Sequence, residues 1–170
     1  MNWYALYVVT GKEEYTARWL KMFLPDLEVT TLIPMRKLME RSQGSVRQVM
    51  RKMFPGYLLV NMEMTSETYS SIKRIPNVIR VLNSGERYYT VIPREEINCI
   101  CQLLSDDGVL DYSKVYFVNS RVIVKSGPLK GMEGLIKAVD RRKLRAKIAV
   151  QFMGEIKKIE VGIEVLENQI

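Results

Sequence analysis

The chain has 170 residues, 47% hydrophobic and 26% charged, proportions that suit a globular protein of one ordinary domain or two small ones. It has no run near the roughly 18 apolar residues of a membrane helix, and its complete lack of histidine removes the commonest acid–base catalyst. A formal net charge of +7 points instead to an anionic partner.

The amino terminus, MNWYALYVV, lacks the basic region and small-residue cleavage site of a secretory leader, so a cytoplasmic location with no membrane association is expected. Cys99 and Cys101 sit two apart in a helical pattern, where they cannot readily bridge. With no histidine to complete a metal site, buried or half-buried free thiols are expected, with no metal and no cofactor. The acidic residues are scattered with no pair marked out for chemistry, so a non-enzyme is expected. Charge is distributed unevenly: residues 1–104 carry +4, residues 105–118 carry −2 and residues 119–170 carry +5. Within the last part, 121–147 holds nine basic and two acidic side chains, a concentration that favours a binding surface over general solubility.

In chain order, WYALYVV (3–9) reads as a buried strand running into Thr10-Gly-Lys-Glu13, a capping-box pattern. The helix that follows carries Tyr15, Trp19, Met22 and Phe23 along one side and stops at Pro25. A short strand is expected around Glu28–Ile33. Residues 36–52 hold six basic side chains against Glu40 alone, and read either as a solvated mobile hairpin or as a nucleic-acid contact through Arg36, Lys37, Arg41, Arg47, Arg51 and Lys52. GYLLVNM (56–62) is a central strand, Thr65 caps a helix over Ser66–Arg74, and VIRVL (78–82) is another strand. A turn at Asn83–Gly85 leads to a short paired segment near Tyr88–Val91. Pro93 opens a helix carrying Ile97, Ile100, Cys101 and Leu104 inward. The pattern predicts an α+β fold, with an antiparallel or mixed sheet and helices packed on it.

Residues 105–118, acidic and without helical period, read as a joint between domains 1–104 and 119–170. Beyond it only short strands follow, as in a small β-barrel. GPLKGMEG (127–134) lacks the strand-to-helix spacing of a nucleotide loop, so its glycines are expected to serve geometry. Gly127 and Gly131 turn the chain, and Gly134 re-enters a strand where another crosses closely.

RVIVKSGPLKGMEGLIKAV resembles a KOW motif. Asn2-Trp-Tyr4, Lys52-Met-Phe-Pro-Gly-Tyr-Leu-Leu-Val60 and IPNVIRVLNSG resemble the amino-terminal (NGN) domain of the NusG family of transcription elongation factors. The resemblance covers nearly the whole chain in the family's order. It implies an NGN-like α/β sandwich over 1–104, a linker over 105–118 and a KOW β-barrel over 119–170, in a monomer. It also implies docking on the clamp helical hairpin of RNA polymerase through Phe54, Pro55 and Tyr57, with Leu59 on the same strand face and Tyr7 as a further aromatic. Read from the residues alone, Phe54 and Tyr57 are core rings; the resemblance implies partial exposure for at least one of them. In the family, the insertion matching 36–52 lies near upstream DNA or the polymerase cleft.

Housekeeping members present phenylalanines on the KOW loop, associated with recruiting Rho or a ribosomal protein; here those positions are Leu129 and Met132. What the barrel offers instead is Asp140-Arg-Arg-Lys-Leu-Arg-Ala-Lys147, expected to share one end with Lys125 and Lys130. It is either a charged hairpin tip or an RNA-binding surface made by Lys125, Lys130, Arg141, Arg142, Lys143, Arg145 and Lys147. In this the chain is similar to the specialised LoaP type of antiterminator paralogue, whose KOW domain recognises a hairpin in nascent RNA. The alternative is a housekeeping factor bridging polymerase to Rho or the ribosome.

Overall fold

The computed structural model describes residues 1–167, so the last three positions of the 119–170 domain lie outside the described residues. The architecture is α+β, and the chain divides into two compact units: residues 1–33 with 54–97, and residues 34–53 with 98–170.

The first unit is built on a four-stranded antiparallel sheet of β1 (Asn2–Val8), β2 (Thr30–Leu32), β5 (Tyr57–Met62) and β6 (Val78–Val81), in the order β2-β5-β1-β6. Alternation on β1 and β5 sends Tyr4, Leu6, Val8, Leu58, Val60 and Met62 into a core with Ala17 and Leu20 of helix α1 (Glu13–Phe23), its C-cap Leu24, and Ile72 of α2 (Ser66–Ile72). Ala5 and Leu59, on the other face, are also fully buried, so both faces of the sheet are covered. Thr65 caps α2 as expected, its hydroxyl accepting the Thr68 N–H at 3.1 Å. Near Tyr88–Val91 no strand forms; single backbone bonds from Thr90 to Leu82 and from Ile92 to Trp3 hold the segment instead.

Helix α1 departs from its expected start. Lys12 is the N-cap residue and no side chain caps it. Glu13 is fully buried, and its Oε1 accepts the backbone N–H of Gly56 at 2.8 Å. The Glu13 carboxylate therefore ties helix α1 to the turn before β5. Glu13→Ala strands that buried N–H and is expected to destabilise the unit by about 1–3 kcal/mol, whereas Glu13→Gln retains an acceptor and loses less; urea unfolding checks both. The large side chains of α1 form its outer face. Tyr15, Met22 and Phe23 are exposed, and Tyr15, Trp19 and Phe23 contact one another edge-to-face along it.

In the second unit, β3 (Met35–Ser42) and β4 (Ser45–Lys52) pair along their whole length as an antiparallel hairpin, and β7 (Val109–Leu110) adds in parallel to β3. The basic segment is thus a regular ladder. The remaining strands, β8 (Ser113–Val118), β9 (Arg121–Ser126), β10 (Ile136–Asp140), β11 (Arg145–Phe152) and β12 (Glu155–Val165), form one sheet in the order β10-β11-β12-β8-β9. Its inner face buries Val115, Val124, Ile148, Phe152, Val161 and Ile163. Helix α3 (Arg94–Leu103) runs across the division, burying Ile97, Ile100 and Leu103; Cys101 is exposed and Leu104 only half-buried, so its inward face is rotated from the expected one.

The joint expected over 105–118 is mostly strand. β8 is an integral member of the five-stranded sheet, pairing with β9 and with β12, because its apolar Val115 alternates inward behind a misleadingly acidic approach. Gly127 and Gly131 turn the chain with φ of +99° and +80°. Gly134 lies in a single 3-10 turn (Glu133–Leu135) with open space around it, not in a strand. The close approach expected there occurs at Gly127, where a Cβ would lie 2.7 Å from the Ser113 Cα and the Tyr112 carbonyl.

Candidate nucleic-acid interface

The β10–β11 turn brings Arg141, Arg142 and Lys143 to the surface together. Asp140 Oδ1 accepts the backbone N–H groups of Arg142 and Lys143, both at 3.0 Å, closing the turn. Those bonds, the one from Lys143 foremost, hold its carboxyl below the usual range. With Asp140 engaged by the backbone, the three cationic side chains project outward. Arg141 is further fixed by stacking: its guanidinium carbon lies 3.4 Å from the centroid of the Phe117 ring. A guanidinium held flat on one face still presents its in-plane N–H fork to a phosphate or a base edge.

Arg145, at the start of β11, is engaged differently. Its Nη1 donates to Glu160 Oε2 at 2.7 Å and its Nη2 reaches the Met39 carbonyl at 3.4 Å. The bond from Arg145 is the first cause holding the Glu160 carboxyl low. Arg145 is therefore a fastening between strands, whereas Lys147, outward on β11, is exposed.

Lys125, on β9, and Lys130, in the loop that follows, are both exposed, and Lys130 Nζ donates to the Val124 carbonyl at 3.3 Å. Lys125 lies toward the start of β8, since Ser126 pairs with Lys114, and Leu129 N–H donates to Ser113 Oγ at 2.9 Å. Phe117, under Arg141, is four residues beyond Ser113 on the same strand. The Leu144 carbonyl of the basic turn accepts the Ile163 N–H at 3.0 Å, and Ile163 pairs with Ser113.

On the β3–β4 hairpin the cations also divide. Arg36 donates to the Glu160 carbonyl and is half-buried, burial being the main cause lowering its guanidinium from the usual range. Lys37 pairs with Asp111 at 3.2 Å, and Arg51 makes a two-pronged pair with Glu40 at 2.7 and 3.0 Å. Arg41 and Arg47, near the tip, are exposed, and Lys52 is half-buried.

In the first unit, Tyr7 and Tyr57 face one another across β1 and β5 with ring centroids 5.4 Å apart, and Arg80 lies 5.9 Å over Tyr7. Both rings are half-buried and Pro55 is exposed. Phe54 and Leu59 are buried, at 4% and 0% exposure, so of the five expected docking residues only Tyr7, Pro55 and Tyr57 reach the surface. Sequence reasoning missed Arg80, whose stacking on Tyr7 depends on the β1–β6 pairing.

Among the described residues no cluster of three or more Cys, Asp or Glu side chains is placed to hold a metal ion, and no helix is long and apolar enough to cross a membrane.

The family model described as "NusG: Transcription termination factor nusG" matches residues 1–101, more than half of the chain. The chain belongs to the NusG family. Relatives include the transcription termination/antitermination protein NusG of Rickettsia felis, 29% identical over 166 residues, spanning 95% of this chain and 86% of that protein. The protein of the same name from Haemophilus influenzae is 28% identical over 173 residues, spanning 98% and 94%. A solved structure of Thermotoga maritima NusG, described as showing a domain interaction, superposes with a TM-score of 0.60 at 21% identity, covering 95% of this chain and 93% of that one. NusG relatives therefore match both units of the chain, and the solved structure shares its fold.

Proposed function

We propose that this NusG-family protein is a non-enzymatic transcription elongation and antitermination factor that binds RNA polymerase through its first unit and structured nascent RNA through the β10–β11 turn. The observation that carries the RNA half is the Arg141–Lys143 turn: three exposed cations on one turn whose single carboxylate is held by the backbone, with one guanidinium pre-set on an aromatic ring. Such a surface binds phosphates without depending on sequence, and its arginine forks add the ability to read guanine edges. This is the behaviour of the LoaP type of paralogue, to which we assign the chain. Polymerase docking rests on Tyr57, Tyr7 and Pro55 and, by family, on the clamp helical hairpin. The factor acts in the cytoplasm as a monomer, with its polymerase-binding and KOW functions in separate parts of the chain.

The housekeeping alternative, in which the KOW domain bridges to Rho or the ribosome through protein contacts, finds less support. Leu129, standing where those members present an aromatic, is fully buried against the sheet, and Met132 is half-buried.

The test is a bridging assay in which immobilised RNA polymerase retains a labelled RNA stem-loop only when the factor is present. Tyr57→Glu is expected to cut polymerase retention of the factor at least tenfold, since a charge in a desolvated aromatic contact costs more than the roughly 1.4 kcal/mol that tenfold represents. Retention of factor but not RNA, together with capture of Rho, would favour the alternative.

A further inference from the structure

We propose that the β3–β4 hairpin is part of the same RNA-binding surface as the β10–β11 turn, with Arg41 and Arg47 extending the Arg141–Lys143 patch along the second unit. This deepens the RNA reading above and rests on it.

The placement follows from register. Strand β3 lies along β12 in the same direction: Arg36 reaches the Glu160 carbonyl, the Lys37 carbonyl lies against Gly162, and the Met39 carbonyl takes Arg145, which pairs with Gly162. Beyond Gly162, β12 runs beside β8 toward Val115, and Leu166 N–H bonds the Val115 carbonyl. The next inward step along β8 is Phe117, which carries Arg141. The part of β3 beyond Met39, and Arg47 opposite Glu40 on β4, therefore head for the end where the basic turn sits.

The mount is tight. A Cβ on Gly162 would lie 2.5 Å from the Lys37 carbonyl oxygen and 2.5 Å from the Tyr112 ring, so only glycine lets β3 lie this close. The fields of the two elements overlap as well. Arg145 and Arg47 both act on Glu40, and Lys143 and Lys147 both act on Glu160. Those two carboxylates are engaged by Arg51 and Arg145. Arg41, Arg47, Arg141, Arg142, Lys143 and Lys147 are exposed cations of these two elements. A folded RNA, whose backbone crosses more than one ridge of protein, is the anion that uses two such elements at once.

The experiment titrates the full chain with an RNA stem-loop of about 16 base pairs, a span typical of proteins that read RNA by shape, and with duplex DNA of equal length. Arg41→Glu/Arg47→Glu is expected to weaken RNA binding about tenfold or more at about 0.1 M salt and to reduce the log–log salt slope by about 1 to 2. Gly162→Val, which displaces the hairpin, should give a similar loss, and adding the hairpin reversal to it should change little more. Arg41→Gln/Arg47→Gln gives the same direction with less perturbation. If Arg141→Glu/Arg142→Glu/Lys143→Glu weakens RNA binding while neither hairpin pair does, the shared surface is overturned and the turn-only reading stands. If the wild-type chain binds no RNA, both fall. Equal affinity and equal sensitivity with duplex DNA would overturn the assignment to RNA.

Discussion

Arg141→Glu/Arg142→Glu/Lys143→Glu is expected to lower affinity for a stem-loop RNA several hundred-fold at about 0.1 M salt. Each phosphate neutralised by a side chain releases bound counterions, and at that salt the release contributes about 0.9 log units per contact. Three lost contacts remove about 2.7 log units, before any added repulsion from the new carboxylates. The same reversal at Lys125 and Lys130 is expected to cost about tenfold or less, since Lys130 Nζ already donates to the Val124 carbonyl and at most one of the two is left to meet a phosphate. Arg145→Gln separates fastening from binding: its guanidinium already serves Glu160 and the Met39 carbonyl, so its loss acts on stability more than on the salt slope. Gel-shift or fluorescence titration of the four proteins ranks these effects.

The second large effect is structural and concerns GPLKGMEG. Gly127→Ala should destabilise the second unit by about 2–4 kcal/mol. A side chain at φ +99° costs about 1–2 kcal/mol, and a Cβ 2.7 Å from backbone atoms of Tyr112 and Ser113 forces a shift worth about 1–3 kcal/mol more. Gly131→Ala meets only the conformational cost, at φ +80° with open space around it, and should lose about 1 kcal/mol. Gly134→Ala meets neither and should be near neutral. Urea denaturation of the three variants gives the order directly. A result with Gly134 most sensitive would mean that a strand does cross there.

What the sequence disclosed depended on how local the cause was. Thr65 as a cap, the β5 run from Tyr57 to Met62 and the turning glycines 127 and 131 each follow from a few neighbouring residues, and each stands in the structure. The core face of α1 was less legible. Its large residues Tyr15, Met22 and Phe23 satisfy helical spacing, yet the sheet takes the smaller Thr16, Ala17 and Leu20, and Glu13 is drawn inside by the Gly56 N–H. Leu59 shares a face with Tyr57, but alternation cannot tell a solvated face from a covered one when both sides of a sheet are buried.

The candidate surface was half legible. Its residue types and density on 140–147 were plain in the sequence. Its extent was not, because it depends on contacts between positions more than a hundred residues apart, such as Arg36 with Glu160 and Arg145 with Met39. Arg145 illustrates a further limit, since a basic residue inside a basic run proves to be bound internally.

The claim on which the functional account turns is that exposed cations at one end of the second unit neutralise RNA phosphates. The most direct measurement is the affinity of the full chain for an RNA stem-loop as a function of salt concentration. With about five phosphates engaged, the account predicts a straight log–log plot with a slope of roughly −3.5 to −4.5, flattened by about 2 to 3 in the Arg141, Arg142 and Lys143 reversal. Binding that is absent at low salt, or a slope the reversal leaves unchanged, would contradict it.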